Sequence, residues 1–216
     1  MPELRVDLIR HAHSAMNASM EDPTAVPFIG GRQNEVDLDV LGERQAELFG
    51  HFALDHDLIP DNVFCSPAVR TVRTHQLASR VMGLTLESLL DDRLQELDQG
   101  DWTNEPRTLY DMHAAEMRRL KSDFRPPNGE SMNDVTDRIT DFMDMLCGMH
   151  QDQDLGYVWV HTHGVAIKGF IGRLLGWSYE DMYRAEIPNA SITTVVLQKG
   201  MWVPQSIGVP TSSRPS

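Results

Sequence analysis

Short apolar segments that end abruptly in charged residues constrain the fold of this chain more than any other feature. The first, residues 4–9, alternates and then becomes wholly apolar, which is typical of a strand entering a core. Arg10 and His11 follow it directly. Ligands of open α/β sheets bind beyond the carboxyl ends of the strands. On its own the Arg-His pair is weak evidence, but its position suggests anion chemistry.

The same arrangement recurs twice further along the chain. Residues 62–65 form a second short apolar segment, and Arg70 follows shortly after it. Residues 157–160 are the clearest buried strand and run straight into His161 and His163. Because parallel strands end at the same edge of a sheet, we expect these side chains to lie near the pair that follows the first strand.

Segments with helical periodicity lie between the strands. Asp39 is a typical N-cap for a helix over residues 40–49, and the helix after the second strand is expected to end near Gly83. A further helix is expected after residue 131. Its apolar face consists of Val135, Ile139, Phe142, Met143 and Leu146. Strands that alternate with helices predict an α/β fold, a three-layer α/β/α sandwich with a mainly parallel sheet.

One domain is predicted over residues 1–203. Residues 21–32 and 104–127 lack sustained apolar periodicity and are expected to overhang the site, the second as a lid-like insertion with a short helix. The basic residues of the lid fit either a solvated face or a surface that recognises substrate. They are Arg118, Arg119, Lys121 and Arg125. Ser- and Pro-rich residues 204–216 are expected to form a flexible tail.

The charge of the chain limits its partners. Its 216 residues contain 32 Asp and Glu against 19 Lys and Arg, and a net charge of −13 repels nucleic acid and anionic membranes. There is no apolar run of about 20 residues and no secretory amino terminus, so we expect a cytoplasmic protein. Cys65 and Cys147 are expected to remain thiols. Any anionic substrate must be held by local arginines.

Two His-x-His pairs, His11 with His13 and His161 with His163, raise the alternative of a metal site. Residues two apart on a strand project to the same side and can hold one ion. However, a hydrolytic metal centre usually has an acidic ligand as well, and two-metal hydrolases with such a strand end use a larger barrel. We therefore expect no metal and no other cofactor.

Phosphoryl transfer through a histidine needs no metal, and the chain has the parts for it. Arg10 and Arg70 are permanently cationic and can each bind phosphate oxygens through two N–H groups. Either His11 or His163 can be the nucleophile, with the other as a hydrogen-bond donor.

Further residues can complete this chemistry. Asn17 can supply an amide N–H to the phosphate. Arg32 and Gly164 are further candidate phosphate contacts. An acid in the loop around Glu96 can protonate the leaving oxygen. Other acids of that region are Asp98, Asp101 and Glu105.

Short motifs occur in a fixed order along the chain. They are Arg-His-Ala-His-Ser-Ala-Met-Asn at residues 10–17, Gly-Glu-Arg-Gln-Ala at 42–46, Ser-Pro-Ala-Val-Arg at 66–70, Glu-x-x-x-Gly-x-Trp at 96–102, Gly-Glu-Ser at 129–131 and Thr-His-Gly at 162–164. In this order they resemble the motifs of the histidine phosphatase superfamily, also called phosphoglycerate mutase-like.

The resemblance implies a role for each matched residue. His11 is the phosphorylated nucleophile and Glu96 the proton donor, and the match selects His163 over His161 as the second catalytic histidine. The implied phosphate pocket consists of Arg10, Asn17, Arg70 and His163. Ala12 and His13 depart from the family's usual Gly and Glu or Gln; neither belongs to the phosphate-binding core, so we expect catalysis to survive and regard His13 as a candidate for altered substrate choice.

The compact connection at residues 126–131, directly after Arg125, resembles the small phosphatase branch of that family. The implied activity is hydrolysis of a phosphomonoester, a small phosphorylated metabolite, through phosphohistidine. Two alternatives stay open: a cofactor-dependent phosphoglycerate mutase-type isomerase that uses Arg118 and Arg119, and a weakly catalytic regulator that binds phosphorylated ligands. Substrate and oligomeric state are also open, a homodimer included.

Overall fold

One six-stranded sheet organises the chain. The computed structural model describes residues 3–21, 26–153 and 155–211. The strands are β1 Leu4–Arg10, β2 Asn62–Cys65, β3 Ser88–Leu90, β4 Tyr157–Thr162, β5 Ser191–Gln198 and β6 Met201–Pro210. Their order is β3-β2-β4-β1-β5-β6. β1 to β4 are parallel, β5 runs antiparallel to β1, and β6 runs antiparallel to β5. The mainly parallel sheet is confirmed, with an antiparallel pair at one edge.

Helices cover both faces of this sheet. They are α1 Ala15–Glu21, α2 Val40–Asp55, α3 Val69–Met82, α4 Thr108–Met112, α5 Ala114–Leu120, α6 Met132–Gln153, α7 Gly164–Leu175 and α8 Tyr179–Arg184. α6 and α7 pack on one face through Phe142 and Phe170, and α2 and α3 on the other through Phe49 and Ala78. The three-layer α/β/α sandwich is confirmed. Within the described ranges, no helix is both long and apolar enough to cross a membrane.

The helix boundaries follow the capping signals of the sequence. The carboxylate of Asp39 accepts the backbone N–H of Gly42 at 2.8 Å and so caps α2. Gly83 ends α3 with a left-handed φ of 66°, which a glycine adopts without a steric penalty. The predicted apolar face of α6 is fully buried. Cys65 in β2 and Cys147 in α6 are free thiols, and burial raises the pKa of Cys65 to about 12.

The expectation of a flexible tail is wrong for residues 204–210. These residues belong to β6, in which Val203 pairs with Val196 and Val209 pairs with Ile192. β6 is an edge strand, where a proline is tolerated because its missing N–H can face away from the neighbouring strand. Residues 212–216 of the expected tail lie outside the described residues, as do residues 22–25 of the expected loop.

The segment over residues 104–127 contains two short helices rather than one. α4 and α5 meet at His113, and neither has a buried residue. Trp102, which ends the Glu-x-x-x-Gly-x-Trp motif, packs beneath them with ring centroids 5.9 Å from Tyr110, 4.9 Å from His113 and 5.4 Å from Phe124. This buried indole therefore anchors the segment, called the lid below, to the loop that precedes it.

Candidate active site

The carboxyl ends of three neighbouring strands bring the predicted residues together. Arg10 ends β1, Arg70 lies in the first turn of α3 after β2, and His163 follows β4. The rings of His11 and His163 have centroids 5.2 Å apart, and Arg70 Nη2 lies 3.2 Å from His163 Nδ1. A cleft of about 170 Å³ opens here. Among the expected site residues, those that line it are Arg10, His11, Asn17, Arg70 and Glu96.

His11 is held in the form that a nucleophile requires. Its Nδ1 lies 2.8 Å from the carbonyl oxygen of Ala12, so Nδ1–H donates there and the lone pair stays on Nε2. Burial lowers the pKa of His11 well below its usual value of 6.5, and the charges of Arg70 and Arg10 lower it further. The imidazole is therefore neutral at pH 7 and can attack an electrophile through Nε2.

His163 is bound from both sides. A guanidinium can only donate, so His163 Nδ1 accepts from Arg70 and Nε2–H donates to Ser66 Oγ at 2.8 Å. Burial and the charge of Arg70 lower the pKa of His163 well below 6.5. In this arrangement its N–H points to Ser66 and the residue does not line the cleft. His163 therefore contacts Arg70 directly and helps to position it. For His163 to donate a hydrogen bond to a phosphate, its ring would need the opposite tautomer.

The two arginines make the cleft positive. Arg70 donates to the carbonyl oxygens of Gln33 at 2.5 Å and Gly31 at 3.2 Å, and Arg10 Nη1 donates to Ile187 at 2.6 Å. Burial lowers the pKa of Arg70 to about 10 against the opposing charge of Glu96, so the group stays cationic at neutral pH. Two fixed cations at one cleft can bind a doubly charged anion such as a phosphate.

Asn17 presents its amide N–H groups to the cleft because its oxygen is already engaged. Asn17 Oδ1 accepts from the backbone N–H of Ser14 at 3.1 Å and from Ser14 Oγ at 2.8 Å. Asn17 lines the cleft, and its Nδ2 group is the part of the amide that can donate to a ligand there.

Among the candidate acids, the structure brings Glu96 to the cleft and leaves the other three out of its lining. Glu96 Oε1 accepts the backbone N–H of Leu97 at 2.8 Å, and Oε2 accepts that of Val165 at 3.3 Å, at the start of α7. Asp98 instead accepts from the backbone of Gly100 at 2.8 Å. Glu96 is therefore the carboxylate that can reach a leaving group.

Two of the expected phosphate contacts lie outside this cleft. Arg32 is bound to Glu130 at 2.6 Å and lies 3.6 Å from Asp98, so its charge is neutralised within the protein. Gly164 lines an adjoining space with Arg10 and Lys168 instead. The expectation that Arg32 and Gly164 contact the phosphate is not supported by their positions.

Arg138, which no sequence motif singled out, fixes the loop that contains Glu96. Arg138 of α6 donates to the carbonyl oxygens of Gln95 at 2.6 Å and Glu96 at 3.0 Å, and it also binds Glu130 at 3.0 Å. Although burial alone raises the pKa of Glu130, its hydrogen bonds with Arg138 bring the net value below the usual range. The Gly-Glu-Ser motif contains Glu130, the partner of Arg138, and is the sequence feature that could have indicated this contact.

Ala12 and His13, the two residues that differ from the usual family motif after His11, are accommodated away from the cleft. The methyl group of Ala12 is buried with Ala46, Leu77 and Ala190. His13 Nδ1 lies 2.7 Å from Asp39 and Nε2 lies 3.2 Å from Glu21, so the ring is turned from the phosphate end.

The Gly-x-x-Gln-Ala motif supports the loop that follows His11. A Cβ on Gly42 would lie 1.8 Å from the carbonyl oxygen of His13, so only glycine permits this approach. Gln45 Oε1 accepts the backbone N–H of His13 at 2.8 Å. The motif thus fixes the backbone that follows His11.

The His-x-His pairs do not converge on one point. His13 faces two carboxylates, as above, whereas His161 is buried with ring centroids 5.9 Å from Trp159 and 6.0 Å from Phe49. Over residues 3–21, 26–153 and 155–211, no three His, Cys, Asp or Glu side chains are grouped closely enough to hold a metal ion.

Known proteins resemble this chain over nearly all of its length. The family model of the histidine phosphatase superfamily (branch 1) matches residues 6–210. A protein of Erwinia tasmaniensis described as "Probable phosphoglycerate mutase GpmB" is 29% identical over 206 residues, covering 93% of this chain and 88% of that protein.

Solved structures show the same fold. The phosphoglycerate mutase from Bacillus anthracis has a TM-score of 0.78 at 20% identity, covering 97% of this chain and 95% of that one. A mycobacterial glucosyl-3-phosphoglycerate phosphatase has a TM-score of 0.75 at 22% identity, covering 96% of this chain and 99% of that one.

Proposed function

The chain belongs to the histidine phosphatase superfamily, branch 1, and from that membership we propose that it is a phosphomonoesterase acting through a phosphohistidine on a small phosphorylated metabolite. The observation that carries the proposal is the state of His11, a neutral imidazole with a free Nε2 at a cleft formed by Arg10 and Arg70. The likeness to a phosphatase structure supports hydrolysis.

The first half of the reaction transfers the phosphoryl group to the protein. Nε2 of His11 attacks phosphorus while the bond from phosphorus to the ester oxygen breaks. Arg10 and Arg70 bind the phosphoryl oxygens and stabilise their charge in the transition state. Glu96 in its acid form gives its proton to the departing oxygen, and the alcohol leaves.

The second half returns the enzyme to its starting state. Glu96, now a carboxylate, takes a proton from water as the water oxygen attacks phosphorus. The bond between phosphorus and Nε2 breaks, and inorganic phosphate leaves. Neutral His11 is then regenerated with its lone pair, so protons and charges balance over the cycle.

A phosphate-release screen over sugar phosphates, phosphoglycerates, nucleotides and alkyl phosphates tests this function. We expect release from at least one class, at the same rate with and without EDTA, since side chains alone form the anion pocket. If EDTA abolished turnover and zinc restored it, the phosphohistidine mechanism would be wrong.

A phosphoglycerate mutase is the second candidate because a relative, described as a probable phosphoglycerate mutase, and a solved structure carry that name. A mutase must keep its phosphoryl group from water until the product is rearranged. With 3-phosphoglycerate and a bisphosphoglycerate primer, we expect released phosphate to exceed interconversion greatly. Efficient interconversion without phosphate release would establish the mutase instead.

A further inference from the structure

A second and larger space adjoins the phosphate cleft beneath the lid. It measures about 500 Å³ and is formed by α4, α5, α8 and the start of α6. Leu97, Arg107, Tyr110 and Val165 line both spaces, so the two are continuous. We call this second space the lid chamber. Its volume lies within the range of about 300–1,000 Å³ that is typical of sites for organic ligands.

The floor of the lid chamber is apolar and its walls are aromatic. The apolar side chains that line it are Leu97, Met117, Phe124, Pro126, Met132 and Val165. Tyr110, Tyr179 and Tyr183 complete the wall. Partial burial raises the pKa of Tyr110 to about 12, and the nearby Tyr183 and Tyr179 contribute to the rise. At neutral pH the ring of Tyr110 is therefore an uncharged surface for an organic group.

Two of the charged residues at the lid chamber are already paired within the protein. Glu130 binds Arg32 at 2.6 Å and Arg138 at 3.0 Å, and Lys121 lies 3.6 Å from Glu180. Arg107, Arg118 and Asp111, which also line the chamber, are exposed to solvent. A small polar substrate would leave the apolar floor uncovered, whereas an apolar group would bury it and gain free energy.

We propose that the lid chamber binds the organic group of the substrate and that this group is bulky and apolar, an alkyl or aromatic body joined to the phosphate. The proposal rests on the phosphomonoesterase function above. A three-carbon phosphoglycerate carries a carboxylate and no apolar body, so it fits the phosphate cleft but not this chamber. The chamber thus directs the enzyme toward amphipathic phosphomonoesters.

A series of n-alkyl phosphates from ethyl to octyl tests the proposal, because these esters share one leaving-group basicity and differ only in apolar length. We expect kcat/KM to rise by up to about fourfold for each added methylene until the chamber is filled. A rate that is flat or falls with chain length would overturn the proposal while leaving the phosphatase function intact. No release from any alkyl ester, together with release from another class of the phosphate-release screen, would also overturn the proposal; no release from any class would overturn the function itself.

A variant that blocks the chamber, compared with a matched control, tests where the alkyl chain binds. Ala114 of α5 lines it, and the neighbouring Ala115 is exposed and does not. We expect Ala114→Trp to lower the ratio of octyl to ethyl phosphate hydrolysis at least tenfold, and Ala115→Trp to keep the wild-type ratio. Equal ratios in the two variants would show that the alkyl chain binds elsewhere.

Discussion

The phosphate cleft and the lid chamber are built in opposite ways. His11, Arg70 and His163 are 5%, 1% and 0% exposed, and Arg70 is held by a histidine 93 residues away. The lid helices α4 and α5 have no buried residue, and their charged side chains form exposed pairs. Reacting groups must be fixed to within fractions of an ångström, which a packed core provides, whereas a surface segment can vary without disturbing them.

The largest effect is expected at Glu96, which lines the cleft. Glu96→Gln keeps the shape of the side chain but removes its proton donor, and should slow hydrolysis of alkyl phosphates by about 10²–10⁴. Nitrophenyl phosphate, whose leaving group hardly needs the proton, should lose much less until water attack becomes limiting. Steady-state kinetics on both substrates measures the difference. Equal small losses would move the role to Asp98, Asp101 or Glu105, although none of them lines the cleft.

A somewhat smaller loss is expected at a buried cation. Arg70→Lys keeps the charge but removes the fork that contacts His163 and that we propose binds phosphate, so kcat/KM should fall by about 10²–10³. Arg80, near the exposed end of the same helix, is the matched control, and Arg80→Lys should leave kcat/KM unchanged. Similar kinetics for the two variants would place the phosphate away from Arg70.

The buried histidines should make stability depend on pH. Burial lowers the pKa of His161 well below 6.5, so the unfolded chain binds protons that the folded chain refuses, and the free energy of unfolding falls as pH drops below about 6.5. His161→Phe should reduce this slope by up to about 1.4 kcal/mol per pH unit in urea melts between pH 7 and pH 5. An unchanged slope would mean that His161 accepts its proton in the folded protein.

The smallest effect is expected in the lid. Arg119 is exposed and lies 3.9 Å from Glu116 on its own helix, so Arg119→Ala should change the free energy of unfolding by less than about 0.5 kcal/mol and leave kcat unchanged. A large fall in kcat/KM would show that this arginine binds substrate and would favour the mutase-type reading of the basic residues.

Residues that follow the core strands could be predicted from sequence because their placement is local. An apolar strand carries Arg10 and His11 to the sheet edge whatever the rest of the chain does, and the same holds for His163. The position of the Arg32 side chain could not be predicted, because it depends on an ion pair with Glu130, which is about a hundred residues away in sequence. The tautomer of His163 depends likewise on Arg70 and Ser66.

The edge strand β6 and the break in the lid helix could not be predicted from local sequence either. Residues 204–210 are rich in turn formers, yet they pair with β5, since a strand edge offers hydrogen bonds that local composition does not reveal. The lid helix is interrupted at His113, which packs on Trp102 from a preceding loop. Both outcomes are set by tertiary contacts rather than by local propensity.

His11 should carry the phosphoryl group during turnover. Rapid quenching of the wild-type enzyme during turnover, followed by proteolysis at alkaline pH and mass spectrometry, identifies the phosphorylated residue. We expect an acid-labile, base-stable phosphate on His11, absent from His11→Ala. Phosphate trapped on His163 in the wild-type enzyme, or no phosphoenzyme while phosphate is being released, would contradict the account.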